Sequence, residues 1–262
     1  MWWVIASTLL VYLAAFAAVF GMQLAAVLAL MTRRAGTFDA GRDGFAALLV
    51  SVPASSLALV AIAWLAAGRP RRERLRLLPG RVSARVVVTM IVGILALSQA
   101  LESLAILLGV GPGANLDWIA GALAGAGPVS LLLAVLVIGG LAPVGEELFF
   151  RGFMLTRLRR VWSAGPAILF TAIAFGVIHG EWVHGVLATG IGIYLGLVTE
   201  RSGSVIPAAI CHVANNTASV LLSAAVGSAQ GRGVNAVLFV LTAALFAASL
   251  FRLPPRASAD AR

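Results

Sequence analysis

The sequence predicts an all-α protein: a polytopic membrane helical bundle of about eight transmembrane helices, with one further interfacial or partly inserted helix. Three observations predict it. Of 262 residues, 61% are hydrophobic and 11% charged, with a mean hydropathy of +1.01, against roughly 25% charged residues in an ordinary soluble domain. Several apolar runs exceed the roughly 20 residues that cross a hydrocarbon core. The short alternating segments of a transmembrane β-barrel are absent.

The spans fall near 2–31, 45–67, 86–109, 118–141, 164–180, 183–199, 204–226 and 234–251. The first lacks the charged n-region and cleavage site of a signal peptide and is too long for an h-region, so it reads as a span. The connection after the second holds Arg69, Arg71, Arg72, Arg74, Arg76, Arg81 and Arg85 against one acid, Glu73. By the positive-inside rule that connection is cytoplasmic. Alternation then puts Arg151, Arg157, Arg159, Arg160, Arg201, Arg252, Arg256 and Arg262 on the same side. Both termini come out cytoplasmic, in a multi-pass protein of the cell membrane. The first connection, with Arg33, Arg34 and Arg42 beside Asp39 and Asp43, departs from the pattern.

All 19 basic residues are arginine, a composition that points to a bacterium with a GC-rich genome. Because they cluster just outside apolar runs, the net charge of +9 reports membrane topology, and nucleic acid is excluded as a partner. The bilayer itself is the first partner. Cys211 is the single cysteine, which excludes an intrachain disulfide and a Cys-rich metal site.

Residues 144–162 are helix-like, amphipathic toward their C-terminal half, and bounded by Pro143 and Gly165–Pro166. A helix dipping into the cytoplasmic leaflet is expected there. No paired broken segments of the transporter kind are seen.

Ionisable side chains at mid-membrane cost roughly 2.5–3.5 kcal/mol on insertion scales and usually face a protein interior. Three groups stand out. In Glu146-Glu147-x-x-x-Arg151, Glu147 and Arg151 have the i, i+4 spacing and order of an ion pair. Glu146 is turned about 100° away, which leaves it a carboxylate for chemistry, unless the whole segment is an ordinary charged interfacial helix. In Phe175-x-x-x-His179, the histidine ends an apolar span and is either a structural residue or a water-orienting one. Glu181 and His184 follow in "HGEWVH", but histidines five apart lie about 140° apart on a helix and do not make an H-E-x-x-H zinc site. Both are assigned to the connecting turn without a role. His212 and Asn216 share a helix face at i, i+4; the pair either glues helices or donates to a developing oxyanion. Glu102, in the third span, is expected to be a hydrogen-bonded residue near its outer end. Gly192-x-x-x-Gly196 permits close helix packing against a partner in this chain or another.

Taken together, a carboxylate, a second-site histidine and a His/Asn donor pair are the parts of a water-activating hydrolase. "EELFFRG", "FGVIH" and "HVANN" resemble, in order, the three motifs of the CPBP family of intramembrane proteases, which includes the type 2 CAAX prenyl endopeptidases and bacterial Abi-like proteins. The resemblance covers roughly residues 140–225. It implies a catalytic membrane core over 111–262 and a family-variable set of N-terminal helices over 1–110, within one integral membrane domain. It implies that Glu146 and His179 activate water, that His212 and Asn216 stabilise the oxyanion, and that Glu147, Arg151 and Phe175 support the site. Family members have been described both as metalloproteases and as glutamate-dependent proteases. No cofactor is predicted. Zinc is the one left open, held in that case by Glu146, His179 and His212. The expected substrate is a membrane-associated protein or peptide, and prenylated tails are not indicated by these residues.

Other intramembrane proteases are excluded. Gly203-Ser204 is not followed by the rest of a G-x-S-G loop, and Asp39, Asp43, Asp117 and Asp260 lie outside the spans. A non-catalytic scaffold or bacteriocin-immunity protein on the same fold is the alternative. A transporter using Glu102 ranks third.

Overall fold

The structure, a computed structural model, describes residues 1–33, 40–111, 113–123, 126–226 and 231–255. Arg34 and Asp39 of the first connection, and Arg256, Asp260 and Arg262 of the tail, lie outside the described residues. Among the described residues every regular element is helical. In chain order these are α1 (Trp2–Arg33), α2 (Ala40–Ala67), the single turn α3 (Arg71–Arg74), α4 (Ala84–Leu107) and α5 (Ala114–Leu123). A composite stretch follows: α6 (Pro128–Ala134), a π-helical segment Val135–Leu141, α7 (Ala142–Glu147), a second π-helical segment Leu148–Leu155, and α8 (Thr156–Leu158). The last four are α9 (Ala164–Val177), α10 (Trp182–Ser202), α11 (Ile206–Val226) and α12 (Arg232–Leu250).

Six of the described helical stretches are long and apolar enough to cross a membrane: α1, α2, α4, the composite Pro128–Leu158, α10 and α12. Helix α9 has 14 residues, too few for a full crossing at 1.5 Å per residue. Helix α11 has 21 residues but is not among the six, since His212, Asn215 and Asn216 dilute its apolar character. Length and composition thus support six crossings where eight are expected from sequence.

The largest departure from expectation is in the middle of the chain. The fourth span is not 118–141 followed by a separate interfacial helix over 144–162; residues 128–158 form one unbroken helical stretch of 31 residues. Proline inside a helix removes a donor and crowds the carbonyl four residues back, which is why Pro143 reads as a boundary. Here the helix widens into a π register just before it and continues through. Every residue from Leu148 to Leu155 is buried. The face that reads as leaflet-facing is covered instead by protein, in a core with Tyr12 and Ala15 of α1, Leu59 and Ala63 of α2, and Phe175 of α9.

The arginine-rich connection is bound to the bundle. Arg71 donates to the Trp64 carbonyl and Arg74 to the Ala67 carbonyl, satisfying acceptors at the C-terminal end of α2. Arg76 reaches Glu200 at 2.7 Å, and Arg159 reaches the other oxygen of that carboxylate at 2.9 Å. The loop, the end of the composite helix and the end of α10 therefore close over the same end of the bundle.

Helices α9 and α10 pack with small residues face to face. Gly192 lies against Ala172 and Gly196 against Ile168, so the partner of the Gly192-x-x-x-Gly196 face is α9 of this chain. Nearer the other end, a Cβ on Gly176 would run into Thr189 Oγ1 and the backbone carbonyl of Gly185. Backbone cannot yield as a side-chain tip can. Gly176→Ala is expected to destabilise by about 1–3 kcal/mol, whereas Gly165→Ala, which meets nothing within 4 Å, leaves stability unchanged. A thiol-reactive dye on buried Cys211 during a thermal ramp in detergent measures both.

Candidate active site

The π-helical widening before Pro143 has a local consequence. In a π register the carbonyl of Ile138 looks to the N–H five residues on, and residue 143 is proline, which has none. Asn216 Nδ2 on α11 donates to that carbonyl at 3.4 Å. Asn215 Nδ2 donates in turn to Asn216 Oδ1 at 3.3 Å. One amide hydrogen of Asn216 thus joins α11 to the composite helix, and its second remains for other use.

Immediately downstream, Glu147 and Arg151 form an ion pair with both side chains fully buried. Arg151 Nη2 donates to the Gly192 carbonyl at 3.1 Å, and the guanidinium sits 4.6 Å from the centre of the Phe175 ring, within cation–π range. The same Glu147 oxygen accepts from His212 Nδ1 at 2.9 Å. A carboxylate acceptor fixes the proton on Nδ1, so neutral His212 carries its lone pair on Nε2. That nitrogen stands 3.7 Å from Glu146 Oε2. His212 therefore touches both glutamates, and the second contact is one that helical spacing could not reveal.

Phe175 organises the histidines. Its ring makes edge contacts with His212 at 5.7 Å and with His179 at 4.9 Å between centroids. His179 Nδ1 is 2.7 Å from the Phe175 carbonyl, an acceptor, so Nδ1 holds the proton and Nε2 is the acceptor nitrogen.

Two residues depart from expectation. His184 belongs to the first turn of α10, not to the connecting turn, and its ring centroid is 4.4 Å from that of His179. Helical zinc spacing does not single out His184; a tight turn between α9 and α10 brings the two rings together. Glu181 stays in the turn and caps α10, accepting from the N–H groups of Val183 and His184. Glu102 makes no hydrogen bond or ion pair among the described residues. It lines a cavity instead.

That cavity, of about 850 Å³, is bounded by α1, α2, α4, α5, the composite helix and α9 to α12. Glu146, His179, His184, His212, Asn215 and Asn216 all face it. Glu146 is 20% exposed, while His212 is 4% exposed. Glu147 and Arg151 lie outside the cavity lining, behind the residues that face it. Among the described residues no group of three or more His, Cys, Asp or Glu is arranged to hold a metal ion.

Residues 128–218 match the family model described as Rce1-like, type II CAAX prenyl endopeptidase Rce1-like. The chain carries an Rce1-like region. This agrees with the resemblance to the CPBP family, and the matched region holds every site residue from Glu146 to Asn216 while leaving out Glu102. No curated protein and no solved structure matches the chain.

The buried pair makes an asymmetric prediction. Arg151→Ala strands Glu147 and is expected to cost about 3–5 kcal/mol. Replacing both members, Glu147→Leu with Arg151→Met, recovers much of that loss, because two apolar groups leave no unpaired charge. Thermal unfolding of the three proteins in detergent distinguishes this from simple loss of packing, which would make the double variant the least stable.

Proposed function

We propose that the protein is an intramembrane endopeptidase that hydrolyses a peptide bond of a membrane-associated protein or peptide, using water activated by Glu146. The observation that carries this reading is that Glu146 of the composite helix, His179 of the turn after α9, and His212 and Asn216 of α11 face one cavity. A structural role alone does not require four polar side chains to point at the same empty volume.

The chemistry follows from the proton positions. Glu146 accepts a proton from water while His179 Nε2 orients the same water by accepting its second hydrogen. The hydroxide oxygen bonds to the scissile carbonyl carbon, whose π electrons move to its oxygen. Glu146 then passes its proton toward His212 Nε2. His212, with Nδ1–H held by Glu147, becomes an imidazolium whose Nε2–H faces the oxyanion. Asn216 supplies its second amide hydrogen to the same oxygen. Collapse of the tetrahedral carbon breaks the C–N bond, and the departing nitrogen takes the proton back from this pair. Glu147 and Arg151 hold His212 throughout and touch no reacting atom. No step in this sequence requires a metal.

The test uses purified protein in nanodiscs with a pooled library of apolar peptides and, separately, farnesylated CAAX peptides, read by mass spectrometry. Glu146→Gln is expected to remain folded and lose cleavage by roughly 10²–10⁴-fold, the usual share of general acid–base catalysis. Wild type is expected to keep its rate after exhaustive chelation. Equal behaviour of wild type, Glu146→Gln and His212→Ala would replace this reading with a binding scaffold. Loss on chelation that added zinc restores would overturn the metal-free mechanism.

A further inference from the structure

The cavity has a charge character that the peptidase reading leaves unused. The chain has 19 arginines and no lysine, yet among the described residues no basic side chain other than histidine lines the cavity, while two carboxylates do, Glu146 and Glu102. Glu146 has His212 beside it. Glu102 has no counterpart: among the described residues no cation pairs with it. Arg232, which reaches the nearby end of α4, donates to the Leu107 carbonyl, an orphan acceptor at the helix terminus.

Glu102 is also not an isolated accident of sequence. Leu95, Ser98, Gln99, Glu102 and Ile106 all face the cavity, and their spacing, with steps of three and four, is one continuous stripe along α4. The middle of that stripe is polar. Gln99 Nε2 donates to Ser103 Oγ at 3.1 Å, which leaves its amide oxygen as an acceptor. Leu101, the neighbour of Glu102, packs over Gly190, holding this part of α4 against α10, six residues beyond His184. Glu102 and its stripe therefore line the same cavity as Glu146, His179, His212 and Asn216.

A carboxylate in an apolar span without a partner costs free energy, and a cation brought to it in a poorly solvated cavity is held more strongly than at a surface. We infer that Glu102 is a specificity-determining residue that binds a cationic side chain, arginine or lysine, of the peptide entering the cavity. The preference rests on the peptidase reading for its biological meaning, but binding itself does not. The ligand class is thus an apolar peptide bearing one basic residue near the bond that Glu146 addresses.

The test separates the two. Protein carrying Glu146→Gln, which cannot cleave and leaves Glu102 as the cavity's remaining carboxylate, is placed in nanodiscs of neutral lipid. It is titrated with fluorescent apolar host peptides that carry a single arginine at successive positions, and with the same set carrying glutamine. At one or two positions arginine is expected to bind roughly tenfold tighter than glutamine, the scale of a partly desolvated charge pair. Adding Glu102→Gln should abolish the difference, and Glu102→Arg should turn the preference toward a glutamate-bearing peptide, with unchanged thermal stability and elution volume in the two variants. A preference that survives Glu102→Gln, no preference at any position, or no binding of any peptide overturns the inference. If the preference is found but wild type leaves the bound peptide intact, the inference stands and the peptidase reading falls.

Discussion

The ion pair of Glu147 with Arg151 is the constraint on which the rest of this site depends. Two full charges are withdrawn from solvent inside a largely apolar bundle, and each is expensive there unless its bonding directions are answered. Glu147 Oε2 and Arg151 Nε have no hydrogen-bond partner among the described residues, and the rest are answered. The answers tie four elements together: the Gly192 carbonyl from α10, the Phe175 face from α9, His212 from α11, and the composite helix that carries both charges. Because His212 is held through Nδ1, its other nitrogen is directed at Glu146. The pair thus orients the histidine without facing the cavity itself.

The composite helix is the second constraint, and it is coupled to the first. Pro143 leaves the carbonyl of Ile138 without a donor in the widened register, and Asn216 answers it. The helix irregularity and the polar residues of α11 are therefore complementary parts of one contact. His212 and Asn216, one helical turn apart, engage the composite helix on either side of Pro143 and keep Glu146 between them. A regular helix would have needed no such partner, and the Asn216 amide would have lacked this acceptor.

Charge is partitioned between the ends of the bundle and its interior. At the loop end Arg71 and Arg74 are bound to helix-terminal carbonyls and Arg76 and Arg159 to Glu200, contacts that close the bundle over its arginine-rich end. The interior cavity keeps acids, histidines and amides. This partition lets Glu146 and Glu102 line an interior cavity in a chain of net charge +9.

The sequence by itself determined the membrane class, the order of the three polar groups, and the Glu147–Arg151 pair, because apolar length and i, i+4 spacing are properties of a single helix. The same local reasoning misplaced the EExxxR segment, since a proline is a break only if the helix cannot widen around it, and burial by distant residues decides that. Only the tertiary structure decided that His184 lies beside His179, that α9 is the partner of Gly192 and Gly196, that His212 spans both glutamates, and that Glu102 faces the same cavity. Each of these contacts joins side chains across a turn or between helices tens of residues apart. Their distances are set by packing, which no spacing along one helix encodes.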